Sequence, residues 1–307
     1  MNAIQVRSRP AGRKRVLDRS EGWWAYALLA PSLVLFSVFV FAPMLSTLVI
    51  SLTSWNLLTP AQYVGLDNYK TMLGDTQLRT VILNTLQFTV FTVLAKIILG
   101  LGFAFMVWKI RPRFVTALLE SILFFPVILP MSIVTMVWGI LLNTDMGAVN
   151  GMLVSVGLGR IPWLSEAHWA LRSIMLLDVW KGLGFFFIVF LVALRNVPRE
   201  LYEAASIDGA GPMATFTRIT LPAISPTTLF LSVIATIGSL QAFDQSYILT
   251  RGGPGDATKT IVYYLWQNAF QYLNMGYGTT IALLLFAFIM LVTLIQFWAS
   301  KRWVSYD

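Results

Sequence analysis

Few side chains in this chain are capable of chemistry, and the most suggestive lie in the stretch IMLLDVWKGLGFFF, residues 174–187. Asp178 and Lys181 are three residues apart, so on a helix they share a face with Phe185, while Trp180 sits beside that face. An ionised group inside a bilayer costs roughly 2.5–3.5 kcal/mol, so each calls for a partner or a water-filled cavity. A carboxylate, an ammonium and aromatic rings suit a polyol: the charged groups exchange hydrogen bonds with hydroxyls, and the rings pack on the apolar face of a sugar. The same spacing allows an internal Asp178–Lys181 ion pair that only braces the helices. Lys96 is expected to pair with Glu120 of the next apolar stretch, as a structural contact. Gln241 and Asp244 either line a pathway or cap a helix end.

The rest of the inventory excludes more than it offers. There is no cysteine, and the single histidine, His168, reads as a surface residue, so thiol chemistry, disulfides and a histidine-rich metal site are not expected. No Gly-rich loop is followed by Lys-Ser or Lys-Thr at phosphate-binding spacing. A membrane-embedded enzyme would need converging acidic residues, histidines or a nucleophile, whereas the charges here are scattered.

These residues belong to a membrane protein. Hydrophobic residues make up 57% of the 307, and only 12% are charged, about half the share of a soluble domain. Six stretches approach or exceed the ~20 apolar residues needed to cross a bilayer: roughly 23–52, 80–108, 114–142, 169–194, 226–244 and 277–299. The fifth is short and interrupted by Gly238, and Pro126 and Pro130 predict a kink in the third. The segments on the N-terminal side of the membrane carry fourteen of the Lys and Arg residues, and the opposite segments five. That bias predicts both termini in the cytoplasm, and it gives the net charge of +8 a topological meaning rather than a nucleic-acid one. The expected organisation is a basic tail (1–22, with Arg7, Arg9, Arg13, Lys14, Arg15 and Arg19), a six-span domain (23–300) and a short tail (301–307).

Between the fourth and fifth stretches lies PRELYEAASIDGAGPMATFTRITLP, residues 198–222 in the first proline's numbering to the last, too polar for lipid. Pro198 favours a helix start, Gly209, Gly211 and Pro212 supply a stop, and a second short helix is expected to halt at Leu221-Pro222. The pattern Glu203-Ala204-Ala205, Asp208-Gly209-Ala210, then Ile219 and Leu221-Pro222, resembles the cytoplasmic EAA loop of ABC importer permeases. The resemblance implies an all-α type I importer permease fold in which Glu203, Ala204, Ala205, Asp208 and Gly209 form a coupling helix seated on a separate ATPase dimer. ATP and Mg would then bind the partner, leaving this chain non-catalytic and without a cofactor of its own. A second permease subunit, completing a heterodimer, and an extracytoplasmic sugar-binding protein are implied as further partners, with membrane lipid around the spans and no nucleic acid.

Three segments narrow the resemblance to the maltose and glycerol-phosphate branch, and to its larger maltose-permease type: WNLLTPAQYVGLDNY, the EAA loop, and FDQSYILTRGGPGDATKT. The chain departs from the larger maltose permease in having six spans and no large external insertion. Counting from the loop, the resemblance places Asp178, Lys181, Gly182 and Phe185, matched alongside Trp180, and Ala235, Gly238, Ser239 and Ala242 at sugar-contact positions; Gln241 adjoins them. The implied function is carbohydrate import across the cytoplasmic membrane. Glycerol phosphate or another polyol is an alternative cargo, although clustered cations would be expected for a phosphate. An ATP-independent secondary transporter is the alternative of a different class.

Overall fold

A computed structural model describes residues 19–110 and 112–305. The basic tail before Arg19, Arg111 and the last two residues lie outside the described residues, and so does most of what was expected of the tails. The chain divides into two units, Met1–Val49 and Ile50–Asp307.

In the first unit, α1 (Arg19–Phe36) continues through a π-helical segment (Ser37–Phe41) into α2 (Ala42–Ile50). The wider turn immediately precedes Pro43, which has no N–H to give to the helix ladder.

The second unit begins with a two-stranded antiparallel ribbon, β1 (Thr53–Ser54) and β2 (Gln62–Tyr63), followed by α3 (Asp67–Gly74) and the 33-residue α4 (Thr76–Trp108). The third apolar stretch bends at the prolines, as the sequence predicts, and does so sharply. It is α5 (Arg113–Ile128) and α6 (Met131–Leu141), bent by 99°. Leu129 is extended (ψ 139°) because the residue before a proline is pushed out of helical conformation, and Pro130 then starts a new helix. After α7 (Ala148–Ser155), α8 (Ala167–Asn196) recrosses the unit.

The loop between the fourth and fifth stretches forms α9 (Arg199–Ile207), α10 (Pro212–Thr215), a second π-helical segment (Phe216–Thr220) and α11 (Leu221–Ala223). Helical structure therefore runs past Leu221-Pro222 instead of halting there. The wide π turn again falls just before the proline, and the chain then bends by 65° into α12 (Ser225–Leu240). Gly238 does not interrupt α12, which ends earlier than the sequence predicts; Asp244 opens a separate helix, α13 (Asp244–Thr250). Next come α14 (Ile261–Trp266), a π-helical segment (Gln267–Gln271) and α15 (Met275–Ser300).

The core is built where α4, α8 and α12 meet, with Ala104, Phe187, Phe190, Leu191, Leu194 and Leu231 buried together. In lipid there is little hydrophobic drive between helices, so close approach carries the packing. Gly184 of α8 is such a contact: a Cβ there would lie 2.1 Å from the backbone oxygen of Leu123 in α5. At the other end, Asp75 caps α4 by accepting from the Leu78 N–H at 2.9 Å, and it also accepts the hydroxyls of Tyr264 (2.6 Å) and Tyr277. Burial pushes the Asp75 carboxyl up, but the two tyrosines and the backbone N–H groups of Leu78 and Gln77 outweigh it and hold the pKa below the usual value.

Candidate functional site

The centre of the second unit is a polar stripe on α4. Thr85, Thr89, Thr92 and Lys96 recur at helical spacing and are all buried. Lys96 Nζ lies 2.5 Å from Asp178 Oδ2 of α8, with only 10% and 14% of the two side chains exposed. Gln245 of α13 donates to the other carboxylate oxygen at 2.9 Å. A carboxylate that receives an ammonium and an amide has both oxygens satisfied, which is what a charge away from water requires. This cluster ties α4, α8 and the short α13 together.

Two expected ion pairs give way to it. Lys96 does not meet Glu120; that carboxylate accepts from Arg195 Nη2 at 2.8 Å, near the end of α8 next to the 198–222 loop. Nor does Asp178 pair with Lys181. Lys96 reaches across from α4, and Lys181 instead donates to the backbone oxygen of Val127 at 3.4 Å. Val127 is in the last turn of α5, where Pro130 has broken the ladder and left carbonyls without a helical donor. A cation there also matches the negative end of the helix dipole. Lys181 thus caps the broken helix, a role invisible without knowing which carbonyls the break frees.

Gly182 has a packing role. A Cβ at this position would meet Lys96 Cε at 2.9 Å, and the Lys96 stem is held in place by its ion pair. The glycine gives the lysine a seat on α8. Ser239 is buried, its hydroxyl 2.9 Å from that of Thr92, and Ala242 is buried with Phe88, Ile174 and Met175. Phe185 packs edge-on against Phe186. By contrast Trp180 is 41% exposed, its ring packed edge-on against Trp138 of α6. Gly238 on α12 and Gln241 just after its end are exposed, continuing a stripe that includes Phe230 and Ile234. The predicted contact residues therefore divide into a buried set (Ala235, Ser239, Ala242), a partly buried set (Asp178, Lys181, Gly182, Phe185) and an exposed set (Trp180, Gly238, Gln241). Gln245 and Thr92 were missed; the signal for Thr92 was the threonine stripe leading to Lys96.

The 198–222 loop presents a different surface. Ala205 is buried, and Tyr202 anchors α9 inward through its ring on Trp108 and its hydroxyl 3.2 Å from Thr220 Oγ1. Phe216 packs on Phe105 of α4. Glu203, Ala204, Asp208 and Gly209 face outward, and so do Ile207 (87% exposed) and Met213 (74%). Gly209 adopts a left-handed φ of +71°, which a side chain disfavours, and it lets the Ala210 N–H close back on the Ala205 carbonyl at 2.9 Å. The loop is an elbow fixed from beneath, with Glu203 and Asp208 beside the apolar Ile207 and Met213 on its outer side.

Among the described residues four helices are long and apolar enough to cross a membrane, or six with each bent pair taken as one span. With a short-helix loop between the fourth and fifth crossings, this architecture defines a multi-span transport permease. The chain belongs to the binding-protein-dependent transport system inner membrane component family, whose model matches residues 96–305. It is 34% identical to the sulfoquinovosyl glycerol transport system permease protein SmoG of Agrobacterium fabrum, over 91% of each chain. It is 33% identical to the trehalose/maltose transport system permease protein MalF of Thermococcus litoralis, over 91% of this chain and 94% of that one. Among solved structures, a chain of a bacterial alginate ABC transporter in complex with an alginate pentasaccharide-bound periplasmic protein superposes with a TM-score of 0.82 at 26% identity, covering 92% of this chain and 96% of that one.

Proposed function

We propose that this permease conveys a carbohydrate, a sugar or oligosaccharide, inward across the cytoplasmic membrane. The observation that carries the reading is the division of the central residues: the Lys96 and Asp178 charges are paired within the chain, while an aromatic ring and an amide remain open. Asp178 is held by Lys96 and Gln245 and offers no unpaired charge to a cargo, while Lys181 is tethered by the Val127 carbonyl. Trp180, Gly238 and Gln241 stay exposed, which suits stacking on a sugar ring and hydrogen bonding to its hydroxyls. In this reading Trp180, Gly238, Gln241 and the partly open Phe185 touch the cargo, and Asp178, Lys181, Gly182, Ser239 and Ala242 hold the helices that present them. The relatives' names, which concern sugars and their glycosides, support a polyhydroxylated cargo.

Movement comes from outside the chain. Glu203, Ala204, Ile207, Asp208, Gly209 and Met213 dock on a separate ATPase dimer that binds ATP and Mg, and the buried Ala205 and Tyr202 relay its closure to α4 and α12. A second permease subunit covers the exposed faces of α8 and α12, and an extracytoplasmic binding protein delivers the sugar. Both termini and the loop face the cytoplasm, with the permease domain running from about residue 23 to 300. The test is reconstitution of the purified assembly with its binding protein and a panel of saccharides. Sugar-stimulated ATP hydrolysis that is lost in Glu203→Lys, with the variant still inserted in the membrane, is the expected result. Uptake that persists without ATP, or is unchanged by Glu203→Lys, overturns it.

A further inference from the structure

The ends of α4, α5 and α8 and the start of α9 enclose an open cavity of about 650 Å³ on the side of the protein that carries the 198–222 loop. Its polar lining includes Arg113, Thr116, Glu120, Arg195, Arg199 and Tyr202. Arg195 is engaged by Glu120 at 2.8 Å. Among the described residues, the guanidiniums of Arg113 and Arg199 have no ion-pair or hydrogen-bond partner. Three guanidiniums against one carboxylate leave the cavity cationic. Arg113 and Arg199 each open a helix directly after a proline, so the positive ends of α5 and α9 add to the same charge.

The surface beside the cavity is apolar. Phe114, Leu118, Ile122 and Phe125 form an exposed stripe along α5, adjoining the stripe of Arg113, Thr116, Ala117 and Glu120 that lines the cavity. A cationic cup at the membrane surface with an apolar lane leading from it matches one kind of molecule. We propose that the cavity binds the phosphate headgroup of an anionic phospholipid, with the acyl chains along α5. Arginine forks suit phosphate oxygens, and basic pockets between spans at a membrane surface hold such headgroups. A lipid bound there bridges the start of α5 to the start of α9, linking a broken span to the outward-facing loop. The apolar lane favours lipid over free phosphate, for which it has no use.

The test uses the assembled complex, read by native mass spectrometry of retained lipid and by crosslinking with photoactivatable phosphatidylglycerol in phosphatidylcholine nanodiscs. The wild type is expected to retain phosphatidylglycerol and crosslink within α5 or α9. In Arg113→Gln/Arg199→Gln retention should fall roughly 10- to 30-fold, since each basic residue near a membrane surface contributes about three- to fivefold. Arg302→Gln, outside the cavity, should change nothing, and Arg113→Lys/Arg199→Lys should give an intermediate value, separating charge from fork geometry. Equal retention in the double Gln variant overturns the proposal. So does displacement of the labelled lipid by excess inorganic phosphate, which would make the cavity a soluble-anion site, or crosslinking of the labelled lipid only at sites away from α5 and α9. Lipid is read without cargo or ATP, so the result stands apart from the identity of the transported molecule.

Discussion

Neutralising Lys96 and Asp178 one at a time and then together measures what their pair does. Each side chain is almost entirely out of contact with solvent, and they meet at 2.5 Å. Asp178→Asn leaves a buried ammonium without its counter-charge, and Lys96→Met leaves a carboxylate held only by the Gln245 amide. Breaking a buried pair from one side costs about 3–5 kcal/mol, because the surviving charge stays desolvated, less whatever proton loss or uptake relieves. The double variant has no charge to strand, and the amide put at position 178 still offers Gln245 an acceptor. Its destabilisation should be about 1 kcal/mol or less, near the net value of an exchanged neutral contact. The assay is reversible unfolding in mixed micelles, with transport by the reconstituted assembly measured in parallel. A structural pair gives two unstable, poorly assembling single variants and a double variant recovered in both stability and transport. Additivity within about 0.5 kcal/mol would refute the coupling. A double variant that is stable yet transports no better than Asp178→Asn would return the carboxylate to the cargo.

Gly184→Ala should lower stability by about 1–3 kcal/mol in the same assay, because its Cβ would fall 2.1 Å from the Leu123 oxygen and backbone cannot swing aside as a side chain can; an unchanged stability refutes that helix contact. Asp75→Ala should cost about 3 kcal/mol, from a lost helix cap and two tyrosine hydroxyls left without their charged acceptor. The pKa of Asp75 is lowered on folding, so its contribution is full above the ordinary value of 3.8 and fades only as pH falls through the lower folded value. The gap between wild type and Asp75→Ala should therefore be constant around neutral pH and narrow only in strong acid.

Much of the site was legible because it rests on local rules. Pro198 starting α9 and the left-handed Gly209 closing it follow from backbone chemistry that no distant contact alters. The outward position of Glu203, Ala204 and Asp208 belongs to the same stretch. The partners of the span charges were not legible. Asp178 and Lys181 are three residues apart, yet one is held by α4 and α13 and the other by the end of α5.

By itself the sequence determined the membrane class, since runs of about 20 apolar residues have one stable environment. It also determined the approximate spans and the elbow between the fourth and fifth, because helix starts, stops and proline effects are properties of neighbouring residues. Tertiary structure decided that the third stretch turns by 99°, that Gly182 seats the Lys96 stem, and that Lys96 belongs to Asp178 and not Glu120. A proline marks where a helix is weakened, but the angle is set by what packs on either side. A buried charge requires a partner, but among several within a helix length only the packing of α4 against α8 selects which one arrives.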